Sequence, residues 1–250
     1  GERLHGMQEV TGSIPVSSTK FLRSRTMFTT HFLEQVDSTQ LFIKSLNPHV
    51  PTVVIAETQT SGRGRQGRPW ISPPNQGLWM SLAHPYLKQK DFRLTEFMVR
   101  VMSVIPHRGQ LGIKWPNDLV ARNSQGSLLK IGGLLGEWVG DTLYIGLGIN
   151  VYSAPPTEPP ALPASSLKDI GISISSIHSL GLEIAAHYFE QKPLDLDPVW
   201  KWPQPGMNIT WEKQVGIVEE WLPDHRLKVS TTTGSVILTS TDIHGIRYAP

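Results

Sequence analysis

One stretch of this 250-residue chain, Ser61–Trp70 (SGRGRQGRPW), sets Arg63, Arg65 and Arg68 among Gly62, Gly64 and Gly67. Both residue types are costly to order, arginine in side-chain freedom and glycine in backbone freedom. An anion repays that cost. Guanidiniums donate paired, charged hydrogen bonds, and glycines let backbone N–H groups approach phosphate oxygens. A solvated basic surface loop is the alternative, and the flanking indoles of Trp70 and Trp79 weigh against it. The three glycines also satisfy the G-x-G-x-x-G dinucleotide pattern, which has meaning only where a helix follows. Pro69, Pro73, Pro74, Asn75 and Gly77 forbid that helix, so the dinucleotide reading is set aside.

A second constellation is KWPND, Lys114–Asp118. Pro-Asn-Asp signals a turn, and it places an ammonium, an amide and a carboxylate within a few residues. Lys114 and Asp118 there can serve a phosphate or its Mg²⁺, with Asn117 orienting; a plain hairpin turn with a charged lip is the alternative. Third is LKIGGLLGEW, where Lys130 enters an apolar strand ahead of Gly132 and Gly133. A lysine entering such a strand should find an anion, an interfacial lysine being the alternative, and strand glycines often mark a close approach of ligand or backbone. In GLGIN, Gly146–Asn150, glycines again end a strand, and Asn150 either reads a base edge or caps a turn.

These groups need a scaffold. VDSTQLFIKSL predicts a helix with Asp37 as N-cap, Gln40 at N3, and Val36 with Leu41 as a hydrophobic staple. Val53–Ala56 predicts a strand, GLWMSLAHPYL another, and DFRLTEFMVRVMSVI a helix. KWPND joins two strands, Lys130–Trp138 and Thr142–Gly148 pair around VGD, and HSLGLEIAAHYFE is helical. Several short strands follow Trp211. The whole predicts an α+β architecture. It divides into a tail over 1–26, a larger domain over 27–203 and a small β-module over 204–250. The boundary near Pro198–Pro205 lies in a Pro- and Trp-rich stretch, and Met27 can serve as a start.

Composition narrows the function. A net charge of +2 is too small for a general nucleic-acid binder, so the basic charge that matters is local. There is no cysteine, which excludes thiolate chemistry and fits a reducing compartment. No apolar run is long enough to span a bilayer, and residues 1–26 lack the apolar core of a signal peptide.

Taken in order, DSTQ (37–40), ETQTSGRGRQGRPW (57–70), KWPND, KIGGLLGE (130–137) and GLGIN resemble the biotin protein ligases. The resemblance runs from about Phe32 to Tyr248, and the arginine loop is its most specific part. It implies a mixed-sheet catalytic domain of the biotin/lipoate ligase type with an SH3-like C-terminal module. It implies ATP-dependent ligation of biotin, through biotinyl-5′-AMP, to one lysine of a biotin carboxyl carrier protein of acetyl-CoA carboxylase, with Mg²⁺ accompanying ATP. By the same likeness Ser38 and Thr39 hold the ureido group with Gln40 beside them and Gln59 at the same biotin site, while Gly133 and Leu135 line the biotin slot. Arg63, Gly64 and Arg65 touch biotin and phosphate. Arg63 is expected to retain the intermediate, and Arg68 to serve the leaving pyrophosphate. Lys130 holds the biotin carboxylate and α-phosphate. Trp70, Lys114, Asn117 and Asn150 serve the adenylate, and Asp118 the acceptor-lysine side. Lys130, Arg63 and Asp118 are the expected catalytic groups, with no fixed protein ligands for the metal.

Some relatives carry a winged helix-turn-helix ahead of the ligase domain. The first 30 or so residues here are too few for one, so a ligase without DNA binding is expected, cytoplasmic, off the membrane, and a monomer or homodimer. Two alternatives stay open: a lipoate or octanoate ligase of the same fold, and a non-catalytic nucleotide-binding module.

Overall fold

The computed structural model describes residues 28–87, 94–107, 109–157, 161–192, 200–239 and 247–248. The expected tail therefore lies outside the described residues. An eight-stranded sheet has the order β1-β2-β3-β7-β6-β5-β4-β8. Its strands are β1 (Thr29–Val36), β2 (Thr52–Gln59), β3 (Gly77–Pro85), β4 (Leu111–Lys114), β5 (Asp118–Arg122), β6 (Leu128–Val139), β7 (Thr142–Asn150) and β8 (Trp200–Trp202). The two outer pairs, β1 with β2 and β4 with β8, are parallel; the rest are antiparallel.

Both faces of the sheet are covered, which is why β2 reads as an unbroken apolar run and not as an alternating one. Val53 and Ile55 point to one face, where they join Leu78, Met80, Leu82, Ile145, Leu147 and Ile149 under the helices α2 (Leu94–Val104) and α3 (Ile177–Phe189). Val54 points to the other face and packs with Ile43 of helix α1 (Thr39–Ser45), Ala83 and Tyr144. Helix α3 starts at Ser176, whose side chain accepts from Ser179 N–H and fills one of the helix's unpaired donors.

A second, antiparallel sheet of order β12-β11-β10-β9-β13 forms the C-terminal module. Its strands are β9 (Asn208–Trp211), β10 (Gln214–Trp221), β11 (Leu227–Thr231), β12 (Gly234–Leu238) and β13 (Arg247–Tyr248). Mixed sheet, few helices and an all-β module are the expected α+β arrangement.

Three local expectations need correction. The N-cap of α1 is Ser38, not Asp37, and no capping box forms. Asp37 Oδ1 instead accepts from Ser38 N–H at 2.6 Å, and the Gln40 side chain leaves the helix end for partners on the sheet. Strand β1 has no counterpart in the sequence reading. It is an edge strand whose residues are half-buried or exposed throughout, so it carries little apolar signal. The Pro- and Trp-rich stretch taken as a boundary also contains β8, with Trp200 and Trp202 on the edge of the main sheet.

Candidate active site

The site lies on the α1 face of the sheet, and β7 shows how the sequence makes it. Along this strand, Ile145, Leu147 and Ile149 enter the core, while Gly146 and Gly148 alternate onto the α1 face. Opposite them on β6 stand Leu135, paired with Gly146, and Gly133, paired with Gly148. On β3 the neighbours are Ser81 and Trp79. A period of two thus gives the strand an apolar side and a bare side. The bare side is a floor that other groups approach closely. A Cβ on Gly148 would come within 2.5 Å of the Trp70 indole, and one on Gly146 within 3.0 Å of Gln40 Oε1. Gly148 is therefore required by contact, while a Cβ at Gly146 would make Gln40 give by a few tenths of an ångström; strand glycines mark such close approaches.

Around this floor stand the side chains singled out above. At the N-terminal end of α1, Thr39 donates from its N–H and its Oγ1 to Gln59 Oε1, at 2.8 and 3.0 Å. Thr39 Oγ1 also bonds Ser81 Oγ at 2.9 Å, and Gln59 Nε2 donates to Ser72 Oγ at 2.8 Å. Thr39 and Gln59 are thus engaged with the protein itself. Gln40 Nε2 faces two acceptors, Glu137 Oε2 at 2.9 Å and the Tyr144 carbonyl at 3.4 Å, which turns Oε1 the other way, over Gly146. Lys44 holds the same Glu137 oxygen at 2.8 Å. Sequence reasoning missed Glu137, Ser72 and Ser81; none carries a local signal, because each acts across the fold.

The KWPND turn joins β4 to β5, and Lys114 and Asp118 are a cross-strand pair. Asp118 Oδ1 lies 2.6 Å from Lys130 Nζ, and Oδ2 lies 3.5 Å from Lys114 Nζ. Burial alone would raise the Asp118 carboxyl. The ammoniums of Lys130 and Lys114 outweigh burial and hold it below the usual carboxylate range. The Lys114 ammonium is pushed below the usual lysine value by burial. Asp118 offsets this in part, while Lys130 and Arg68 add to it. Gly133 has its bare Cα beside the Asp118–Lys130 pair, since a Cβ there would stand 3.4 Å from Asp118 Oδ1 and 3.5 Å from Lys130 Nζ. Lys130 is fixed through its backbone as well: its N–H donates to Pro163 O and its carbonyl accepts from Ser165 N–H. That second segment, around Pro163–Ser166, was not singled out in the sequence.

The arginine loop contains only a short 3-10 turn over Arg65–Gly67, and no helix opens there. Its backbone doubles back on itself, with Gly64 N–H donating to Arg68 O and Trp70 N–H to Gly62 O. Gly62 is where the chains press together, since a Cβ would fall 2.4 Å from Trp70 O. The loop ties to the sheet through Arg65, whose Nη1 donates to Asn117 Oδ1 at 3.0 Å. Asn117 Nδ2 in turn donates to Leu134 O. Arg63 and Arg68 are exposed. Spacing could not tell which of the three arginines turns inward. Trp70 stands edge-on to Trp79 at 6.5 Å, and Lys130 Nζ lies 5.4 Å from the Trp70 ring.

Four polar atoms at this site are buried without a hydrogen-bond partner: Ser38 Oγ, Gln40 Oε1, Trp70 Nε1 and Asn150 Oδ1. Asn150 Nδ2 is taken by Ser165 O at 3.2 Å, which leaves its carbonyl oxygen as the unused acceptor. Buried polar atoms are nearly always paired, so four orphans around one glycine floor call for a ligand with matching donors and acceptors.

Residues 32–150 match the model of the biotin/lipoate A/B protein ligase family. Among curated relatives, the chain is 32% identical over 179 residues to the bifunctional ligase/repressor BirA of Bacillus spizizenii, covering 66% of this chain and 52% of that one. It is 32% identical over 138 residues to the biotin–[acetyl-CoA-carboxylase] ligase of Mycobacterium tuberculosis, covering 48% of this chain and 46% of that one. The chain spans about half the length of these curated relatives. Its fold is similar to that of the biotin protein ligase from Aquifex aeolicus in complex with biotin and ATP, with a TM-score of 0.67 and 25% identity over 88% of this chain and 99% of that one. The stretch similar to that family, residues 32–150, holds Ser38, the arginine loop, KWPND, Lys130 and Asn150.

Proposed function

We propose that this chain is a biotin–protein ligase that activates biotin with ATP as biotinyl-5′-AMP and passes it to a lysine of a biotin carboxyl carrier domain. The observation that carries this reading is the pairing of a cationic end, Lys130 and Lys114, with the unpartnered polar atoms of Ser38, Gln40, Trp70 and Asn150 across one glycine floor. A molecule with a polar head, an apolar body and a carboxylate tail fits that order. Its head meets Ser38 Oγ and Gln40 Oε1, its body lies over Gly146 and Leu135, and its carboxylate reaches Lys130. Asn150 Oδ1, an acceptor only, suits the amino group of adenine.

In the first step a carboxylate oxygen attacks the α-phosphorus of ATP and pyrophosphate leaves. Lys130 brings the two anions together and stabilises the charge that develops on the phosphoryl oxygens. Lys114 and the arginines of the loop supply further positive charge. Among the described residues no cluster of three metal-ligating side chains is present, and Asp118 already engages two lysines. Mg²⁺ would accompany ATP as MgATP and supply further positive charge at the phosphates. In the second step the acceptor lysine, its ammonium having given a proton to solvent, attacks the acyl carbon as the amine and AMP departs. Asp118, ionised and held low by its lysines, is suited to steer an incoming ammonium. The loop, tied to the sheet through Arg65 and Asn117, shields the anhydride from water.

The reading places the enzyme in the cytoplasm, with the carrier protein of acetyl-CoA carboxylase as partner. Among the described residues no helix is long and apolar enough to cross a membrane. Biotin-dependent exchange of pyrophosphate into ATP, followed by transfer of labelled biotin to an isolated carrier domain, tests the whole reading. No exchange with folded protein, biotin and MgATP refutes it.

A further inference from the structure

The turn that carries Lys114, Asn117 and Asp118 also carries a tryptophan, and that side chain goes elsewhere. Trp115 is fully buried, and it is buried not in the core beneath the main sheet but in the core of the C-terminal module. Its neighbours there are Ile209, Trp211, Val218, Leu227, Val229 and Leu238. One member of this small core is thus lent by the active-site turn. The Trp115 N–H donates to Trp202 O at 2.8 Å, at the end of β8, where the chain leaves for the module. Its other ties are hydrogen bonds to α2, to β6 and, through Arg65, to the arginine loop. Thr95 Oγ1 on α2 donates to Pro116 O at 3.2 Å, and Asn117 exchanges hydrogen bonds with Leu134.

We infer that the C-terminal module is the socket that positions the active-site turn, with Trp115 as its positioning residue. The inference rests on the proposed ligase reading for what the turn does, but not for its mechanical part. Lys114 and Asp118 are bound to Trp115 through one and three backbone steps, and their side chains form a chain of contacts with Lys130. A shift of the indole therefore carries an ammonium and a carboxylate with it. Well-packed cores transmit such shifts because they do not deform softly. Groups proposed to hold the head of biotin, Ser38 and Gln40, lie at α1 and are not attached to the turn, whereas Lys130, proposed to take both the carboxylate and the α-phosphate, is coupled to it. The module accordingly acts more on the rate of adenylation than on the affinity for biotin. Any event that loosens or tightens its core is felt at the chemistry.

The test uses the full chain with three variants. Val229→Ala removes volume inside the module, at a residue outside the active site. Trp115→Phe keeps an aromatic ring in the socket but fills it less. Val215→Ser, on the exposed side of β10, is the control. Val229→Ala and Trp115→Phe should each lower kcat for biotin-dependent ATP–pyrophosphate exchange about tenfold, with the biotin KM within about threefold. Val215→Ser should leave both unchanged. Amide hydrogen exchange gives a readout that needs no activity: Val229→Ala should speed exchange at Trp115 and Leu134 N–H while the amides of β2 and β3 keep their protection. Wild-type kcat and wild-type protection of the turn in folded Val229→Ala overturn the inference. So does a parallel rise in biotin KM, which marks general damage. If the wild-type chain shows no exchange activity, the ligase reading fails, and the protection of the turn alone decides the mechanical claim.

Discussion

Replacing Lys130 with alanine separates catalysis from stability in a way the ion triad makes measurable. The Lys130 ammonium lies 2.6 Å from Asp118 Oδ1, and removing it leaves that carboxylate with Lys114 alone, at 3.5 Å. Losing one partner of a buried pair typically costs about 3–5 kcal/mol, because a charge is left without compensation. Here the Lys130 side chain is 29% exposed and a second ammonium stays in place, so the cost should fall to about 2–3 kcal/mol. For a chain of this size that lowers Tm by roughly 4–12 °C. Catalysis should suffer more. Lys130 is assigned to both the carboxylate and the α-phosphate, and one fixed donor at a developing charge is worth about 10²–10³ in rate. Pyrophosphate exchange at saturating biotin and MgATP, measured well below the variant's Tm, should therefore fall at least a hundredfold. Adding Asp118→Asn takes the carboxylate away from the buried Lys114 ammonium. The double variant should lose further Tm and regain none of the lost exchange. Exchange within tenfold of wild type in folded Lys130→Ala refutes the catalytic assignment, and an unchanged Tm refutes the reading of the triad as a coupled buried network.

Arg65→Gly deletes the loop's tie to Asn117 and Arg63→Gly removes the guanidinium expected to retain the intermediate, so with either variant an unrelated lysine-rich protein mixed with enzyme, biotin and MgATP should gain biotin; no gain with Arg63→Gly while the adenylate is still made would remove the retention role from Arg63. Glu137→Gln frees the Gln40 amide to turn over, which should raise the biotin KM about tenfold with the ATP KM unchanged; equal changes in both would remove Glu137 from the biotin end. Because burial depresses the Lys114 ammonium, kcat/KM for ATP should fall on the alkaline side at a pH below that of an ordinary lysine, and Lys114→Arg should move that limb upward. The linked stability has the opposite sign: between the depressed folded value and the ordinary one only the unfolded chain holds the proton, so this group's contribution to stability rises with pH. A limb at the ordinary lysine position would show that Lys114 is not the group being titrated.

What the sequence made legible was local. The glycines of GLGIN sit at alternate positions of an apolar strand, so their shared face follows from period two alone. Pro-Asn-Asp between two apolar runs announces a hairpin, and Lys114 and Asp118 do pair across it. What stayed hidden was set by distance along the chain. Gln40 occupies the right place for a capping box, yet Glu137, 97 residues away, claims its amide. Trp115 looked like part of the charged turn, and only the folded module shows where its indole belongs. Arg63, Arg65 and Arg68 are equivalent by composition, and it takes the doubling-back of the loop to bring Arg65 to Asn117. Strand β1 has too few buried positions to leave a pattern.

Strand β7 carries two kinds of information on one stretch of backbone. Its isoleucines and leucine answer to the core, and its glycines answer to whatever lies on the other face. The two sets interleave without sharing a position. Selection acting on ligand shape can therefore alter residue 146, with residue 148 held to glycine by Trp70, while leaving residues 145, 147 and 149 to keep the sheet in register. Such a strand can be re-dressed on one side for a differently shaped flat ligand with its folding instructions left intact. It offers an engineer the same freedom: Gly146 is a position where pocket depth is adjustable one methyl at a time, with Gln40 the first neighbour to respond.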